Sequence, residues 1–164
     1  MELLVDTREQ HALSFSEIVG VTVKVEMLKV GDYTARYKDG LMDTAVVERK
    51  SVGDCFHSFS HEYENEKAKL LRARELGLTY IVAVESPAIE LRKGHTYTKD
   101  GEVHEVRKSG IAMVRQLMTW QRKYGVQVWF CRDRKDMAFM IQEYFLAQER
   151  LLENKKATSS EAHG

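Results

Sequence analysis

The chain has 164 residues, 43% of them apolar, which is enough for one ordinary globular core and too little for two. Its 25 basic and 25 acidic side chains cancel, which argues against a protein that coats nucleic acid over its whole surface but leaves room for a local basic groove. Cys55 and Cys131 lack C-x-x-C spacing, and no apolar run nears the roughly 20 residues that cross a bilayer, so a zinc ribbon, a disulfide framework and a membrane partner are all set aside.

Residues 2–6 are an apolar run ending at Asp6, read as a short buried strand. Phe15 to Val19 suggest a short helix. Val21, Val23, Val25 and Met27 alternate with polar residues, which predicts a half-buried strand over 21–28. Val30-Gly31-Asp32-Tyr33 turns the chain into a hairpin of 33–38 and 42–50, closed by Asp39-Gly40. A helix over 51–61 begins near Ser51, and a longer polar helix over 61–76 stops at Gly77. Tyr80 to Val84 have the β-branched character of a central strand. Residues 86–109 are polar and basic and read as an insertion, with a small hairpin pairing Thr96-Tyr97-Thr98 with Val103 to Val106.

The spacing then predicts a helix over 110–124, with Ile111, Val114, Leu117, Met118 and Gln121 on one face and Gly125 ending it. Val126, Val128 and Phe130 form another strand. An amphipathic helix over 135–153 carries Met137, Met140, Ile141, Tyr144, Phe145, Leu151 and Leu152 close to the helical period. The polar residues 154–164 are expected to be a disordered tail, leaving 1–153 as a single domain. Strands first, then β-α-β-α, predict an α/β fold with helices on a mixed sheet.

The chemistry concentrates in Gly31-Asp32 and Glu48-Arg49-Lys50, followed by Asp54. Glu48 and Lys50 lie two apart on a predicted strand and leave the same face, while Arg49 leaves the other. Asp32 stands at the turn feeding the hairpin whose return strand carries Glu48, so the two carboxylates converge at one end of the sheet. Two carboxylates with waters and phosphate oxygens suit Mg²⁺, and a lysine beside them orients a water or offsets phosphate charge. Charged triplets are commonly solvated strand ends. Here Asp6, Glu9, Asp32, Glu48 and Asp54 all fall at or just beyond predicted strand ends, which favours a site.

Val5-Asp6-Thr7-Arg8-Glu9, Val30-Gly31-Asp32-Tyr33 and Val47-Glu48-Arg49-Lys50-Ser51-Val52-Gly53-Asp54 together resemble the XPF-type (ERCC4-domain) nuclease family, whose hallmark is G-D, a gap, then E-R-K-x-x-x-D. The resemblance covers residues 2–150. It implies a restriction-endonuclease-like mixed sheet flanked by helices, and cleavage of branched, flap or other structured DNA with Mg²⁺ or Mn²⁺, leaving 5′-phosphate and 3′-hydroxyl ends. By resemblance Asp32 and Glu48 are metal ligands and Lys50 assists the attacking water. Asp6, Glu9 and Asp54 complete the acidic cluster or hold Arg49 and Lys50, and Arg8 and Arg49 are phosphate or structural partners. The helix-hairpin-helix module common in the family has no counterpart after residue 153, which is closer to the standalone versions.

Lys67, Lys69 and Arg72 on the polar helix, and Arg92, Lys93, Arg107 and Lys108 in the insertion, are candidate DNA contacts; the bland reading of both groups is a solvated surface. Glu66 and Lys69 are expected at the rim of the site. The C-terminal stripe is expected either as core or, by resemblance, as a homodimer interface. The protein is expected to be cytoplasmic or nucleoid-associated. The alternative function is a non-catalytic DNA-binding or scaffolding subunit.

Overall fold

A run of apolar residues with no polar face must be covered on both sides, and one such run, Tyr80 to Val84, lies at the centre of this molecule beside a strand that opens with Ala45-Val46-Val47. The structure is a computed structural model and describes residues 1–15, 20–99, 102–106 and 108–161. In chain order the elements begin with β1 (Glu2–Asp6), β2 (Thr22–Glu26), β3 (Tyr33–Arg36), β4 (Ala45–Lys50), α1 (Val52–Ser60), α2 (Tyr63–Glu75) and β5 (Thr79–Val84). There follow α3 (Ala88–Leu91), β6 (Thr96–Lys99), β7 (Glu102–Glu105), α4 (Gly110–Tyr124), β8 (Gln127–Phe130) and α5 (Arg134–Glu161).

Six strands form one sheet in the order β2-β1-β3-β4-β5-β8. β1 pairs antiparallel with β3, and β3 with β4, while β1–β2, β4–β5 and β5–β8 are parallel. β4 and β5 are the buried central strands, and the α1–α2 crossover between them makes their parallel pairing possible. On one face Leu3, Val5, Val47, Ile81 and Ala83 meet Met137, Ile141 and Phe145 of α5. On the other, Val46, Tyr80, Val82 and Val84 meet Cys55, Phe56 and Phe59 of α1, Leu70 and Ala73 of α2, and Leu117 and Trp120 of α4. Each fully buried Leu, Ile or Phe contributes about 1.5–3 kcal/mol to such layers.

Local signals set the helix ends. The Ser51 side chain accepts from the Asp54 N–H and caps α1, the Ser109 side chain accepts from the Ala112 N–H and caps α4, and Gly125 takes a left-handed conformation at the end of α4. The β6–β7 hairpin within 86–109 forms a separate two-stranded sheet.

Four expectations change. β2 is not half-buried: Val23 is 52%, Val25 65% and Met27 76% exposed, because β2 is an edge strand outside both apolar clusters. The buried face of α4 is Gly110, Met113, Leu117 and Trp120, with Ile111 and Met118 turned outward. Trp120 decides this, since it stands edge-on to Phe59, Tyr63 and Tyr124. α5 runs on through 154–161, where a disordered tail was expected, since no glycine or proline interrupts it and Lys156 pairs with Asp39. Finally, Met137, Ile141 and Phe145 are core and Met140, Tyr144 and Leu152 pack against it, while Leu151 is exposed. Of the short helix expected over 15–19, residues 16–19 lie outside the described residues.

Candidate active site

Alternation along β4 sends Glu48 and Lys50 to the α1–α2 side of the sheet, with Val46, and sends Arg49 to the α5 side, with Val47. Gly31 brings Asp32 against this strand. Its φ is +78°, and a Cβ there would stand 3.0 Å from Val46 Cβ and 3.3 Å from the Val47 carbonyl oxygen. Backbone bonds stitch the turn in place: the Asp32 N–H donates to Val47 O at 2.8 Å, and the Asp6 N–H donates to Asp32 O at 2.8 Å. The Arg49 N–H donates to Asp32 Oδ2 at 2.8 Å, which holds the Asp32 carboxylate beside the Glu48 residue.

Glu48 is buried, and its Oε1 receives two ammonium groups, Lys69 Nζ at 2.7 Å and Lys50 Nζ at 3.0 Å. Lys50 Nζ also donates to Ser58 Oγ at 3.0 Å and to Glu66 Oε1 at 2.8 Å. Lys69 Nζ donates to the same Glu66 oxygen at 2.9 Å. Burial lifts the Glu48 pKa, but the charges of Lys50 and Lys69 outweigh it and hold the carboxylate below its usual value. Burial alone would lower Lys50, and the charges of Glu48 and Glu66 reverse that, so it stays an ammonium. Among the described residues no ammonium pairs with Asp32: burial first, and then the Glu48 charge, push it well above the usual aspartate range, against the Arg49 N–H bond and the Lys50 charge.

That imbalance bears on a metal. Among the described residues no group of three or more His, Cys, Asp and Glu forms a ready-made metal cage. The donor set is the pair Asp32 and Glu48, one of them short of positive charge. This fits Mg²⁺ or Mn²⁺, hard ions that take oxygen ligands; Mg²⁺ in particular is held by one or two carboxylates with the remaining positions left to water and phosphate.

The other predicted site residues take separate places. Arg49 Nε donates to Glu9 Oε2 at 2.9 Å, and its Nη1 donates to Glu85 Oε1 at 2.8 Å, an oxygen also reached by Arg134. Glu9 and Arg49 therefore stand behind the strand. Asp6 is buried and clasps Arg8, with Arg8 Nε at 2.6 Å, and accepts from the Leu28 N–H at 2.7 Å. Asp54 accepts from Ser51 Oγ at 2.6 Å in the first turn of α1.

A cleft of about 480 Å³ opens over Asp32 and Glu48, lined also by Asp6, Arg8, Lys29, Val30, Gly31, Lys69 and Arg72. Of the candidate DNA contacts, Arg8, Lys69 and Arg72 reach it. Lys67 pairs with Glu64 and Lys93 with Glu90, and Arg92 ends α3 on the surface. Lys108 is turned inward, donating to the Phe59 carbonyl at 2.6 Å and to Gln116, so it docks the insertion onto α1 and α4. Arg107 lies outside the described residues. Sequence reasoning missed Lys29, Ser58 and Glu85, and put Glu66 at the rim when it is buried. One signal for Glu66 was available: it falls on a helical stripe with Leu70 and Ala73, the buried residues of α2.

Comparison with known proteins bears on the fold and the family. The solved structure of XPF from Aeropyrum pernix is similar, with a TM-score of 0.61 and 23% identity, over 95% of this chain and 69% of that one. XPF from Aeropyrum pernix in complex with DNA is similar too, with a TM-score of 0.59 and 22% identity, over 94% of this chain and 66% of that one. The chain thus spans about two thirds of their length, and it has their restriction-endonuclease-like fold. No curated protein matches it. The ERCC4 domain matches residues 5–144, most of the chain, and the chain belongs to the ERCC4 domain family.

Proposed function

We propose that this chain is a divalent-metal-dependent endonuclease that hydrolyses phosphodiester bonds in DNA, on branched, flap or other structured substrates. The observation that carries the reading is the convergence of Asp32 and Glu48 at the floor of a cation-lined cleft, with the Lys50 ammonium fixed beside them. Family membership supports it, since ERCC4 proteins are nucleases. So does the solution of a similar structure, XPF from Aeropyrum pernix, in complex with DNA.

Mg²⁺ or Mn²⁺ held by Asp32 and Glu48 would supply an activated water and positive charge at the phosphate. Lys50 stays charged because two carboxylates face it, and it brings fixed positive charge to where the phosphate gains negative charge. Arg8, Lys29, Lys69 and Arg72 line the cleft and take the backbone phosphates on either side of the scissile one. Arg49 acts from behind, holding β4 against Glu9 and Glu85.

The test is cleavage of labelled single-stranded, duplex, splayed-arm, flap and four-way DNA with Mg²⁺, Mn²⁺ or chelator. Cutting is expected only with metal, and to be lost in Asp32→Asn and Lys50→Ala while Asp32→Asn still binds DNA. Folded protein that binds DNA but cuts none of these would return the reading to a non-catalytic DNA-binding or scaffolding subunit. We also propose a homodimer through the C-terminal helices, supported by Phe139 on α5, 59% exposed. A monomer at all concentrations in sedimentation velocity would remove that part.

A further inference from the structure

Glu66 is 1% exposed and begins the buried stripe of α2 that continues through Leu70 and Ala73. A carboxylate so placed is costly unless cations and donors surround it. Two ammonium groups share its Oε1, Lys50 Nζ at 2.8 Å and Lys69 Nζ at 2.9 Å, while Oε2 has no hydrogen-bond partner among the described residues. An ammonium has three N–H donors. Those of Lys50 face three acceptors: Glu66 Oε1, Ser58 Oγ and Glu48 Oε1.

We propose that Glu66 is a positioning residue for the cleavage reaction: it anchors the Lys50 ammonium independently of Glu48 and draws Lys69 to the cleft wall. The inference rests on the nuclease reading above. Without Glu66, two ammonium groups would have Glu48 as their shared carboxylate, and that oxygen would be committed to them. With Glu66 present, two anions face two cations, and Glu48 can turn to another partner while Glu66 and Ser58 still hold Lys50. A purely structural Glu66 would pin α2 to the sheet and do nothing to the reaction beyond that.

The experiment compares the full chain with Glu66→Gln and Glu66→Asp in four readouts: thermal melting, DNA affinity, single-turnover cleavage and acylation of each lysine by an amine-reactive acetate ester, mapped by mass spectrometry. In Glu66→Gln, acylation of Lys50 is expected to rise on the order of tenfold relative to Lys67, the effect of losing one charged hydrogen bond. Cleavage per folded molecule is expected to fall by about 10²-fold, as for a misplaced catalytic group, and DNA affinity by far less, since Lys69 keeps its contact with Glu48. Cleavage per folded molecule at the wild-type level would overturn the proposal, whether or not Lys50 acylation rises. If Glu66→Gln does not fold, Glu66→Asp decides on the same criteria, since it keeps the charge and withdraws it by one methylene. Wild-type protein that cuts nothing while Lys50 is still freed in the variant would sink the nuclease reading and leave Glu66 as the anchor of Lys50. Cutting by the wild type with no effect at Glu66 would sink only this inference.

Discussion

Asp6 illustrates how one buried carboxylate organises its surroundings. It accepts from the Arg8 guanidinium, from the Arg8 N–H and from the Leu28 N–H, closing the ends of β1 and β2. Burial alone would lift its pKa; the bonds from Arg8 and Leu28 outweigh that and hold it below the ordinary value of 3.8. A depressed folded pKa means the contribution is complete above the unfolded value and disappears as pH falls through the folded one. Asp6→Asn is therefore expected to lower stability near neutral pH by about 1–3 kcal/mol, and to flatten the loss of stability that the wild type suffers below about pH 4. Urea titrations of both proteins between neutral pH and acid check this; parallel curves would contradict it. The D-x-R-E pattern made Asp6 and Glu9 legible as important. It did not say that each holds a different arginine, because which guanidinium a carboxylate meets depends on where β2 and β4 bring the chain back.

At the scale of elements, α5 has two regimes. Up to Leu152 it packs on the sheet, and its start is tied in through Arg134, which donates to Glu85 and to the His11 and Ala12 carbonyls. Beyond that it is a mostly exposed extension with the Lys156–Asp39 pair at the surface. Exposed pairs contribute roughly 0–1 kcal/mol, so removal of 154–164 is expected to lower stability by no more than about 1 kcal/mol, measured by thermal melting. A larger loss would mean the extension packs more than its exposure indicates. The end of this helix was illegible because a polar, uninterrupted run has no stop signal, and helix or coil is settled by neighbours. The outward turn of Ile111 and Met118 on α4 has a similar cause: an apolar stripe can be drawn through either face, and the aromatic cluster around Trp120 selects one.

For the whole molecule, zero formal charge conceals a local gathering of cations around the cleft carboxylates Asp6, Asp32 and Glu48. Arg8, Lys29, Lys69 and Arg72 gather on the walls of one cleft, while Lys67, Lys93 and Lys108 are occupied elsewhere. A cleft cation that neutralises one phosphate contributes about one unit to the salt dependence of DNA binding. Arg72→Ala is accordingly expected to weaken DNA binding and reduce the slope of log K against log salt by about 1, and Lys93→Ala to leave it unchanged. Equal slopes for both variants would place the DNA elsewhere. Gly31-Asp32, the E-R-K strand, the central apolar strand and the split of Glu48 and Lys50 from Arg49 were determined by the sequence itself, because each depends on local spacing and on the two-residue period of a strand. Tertiary structure alone decided that Glu66 and Ser58 surround Lys50, that Lys29 joins the cleft, that Lys108 turns inward and that β2 is left at the edge. Those outcomes depend on which distant segments meet across the sheet, and a charged residue shows no sign in sequence of whether its partner will be water or a buried countercharge.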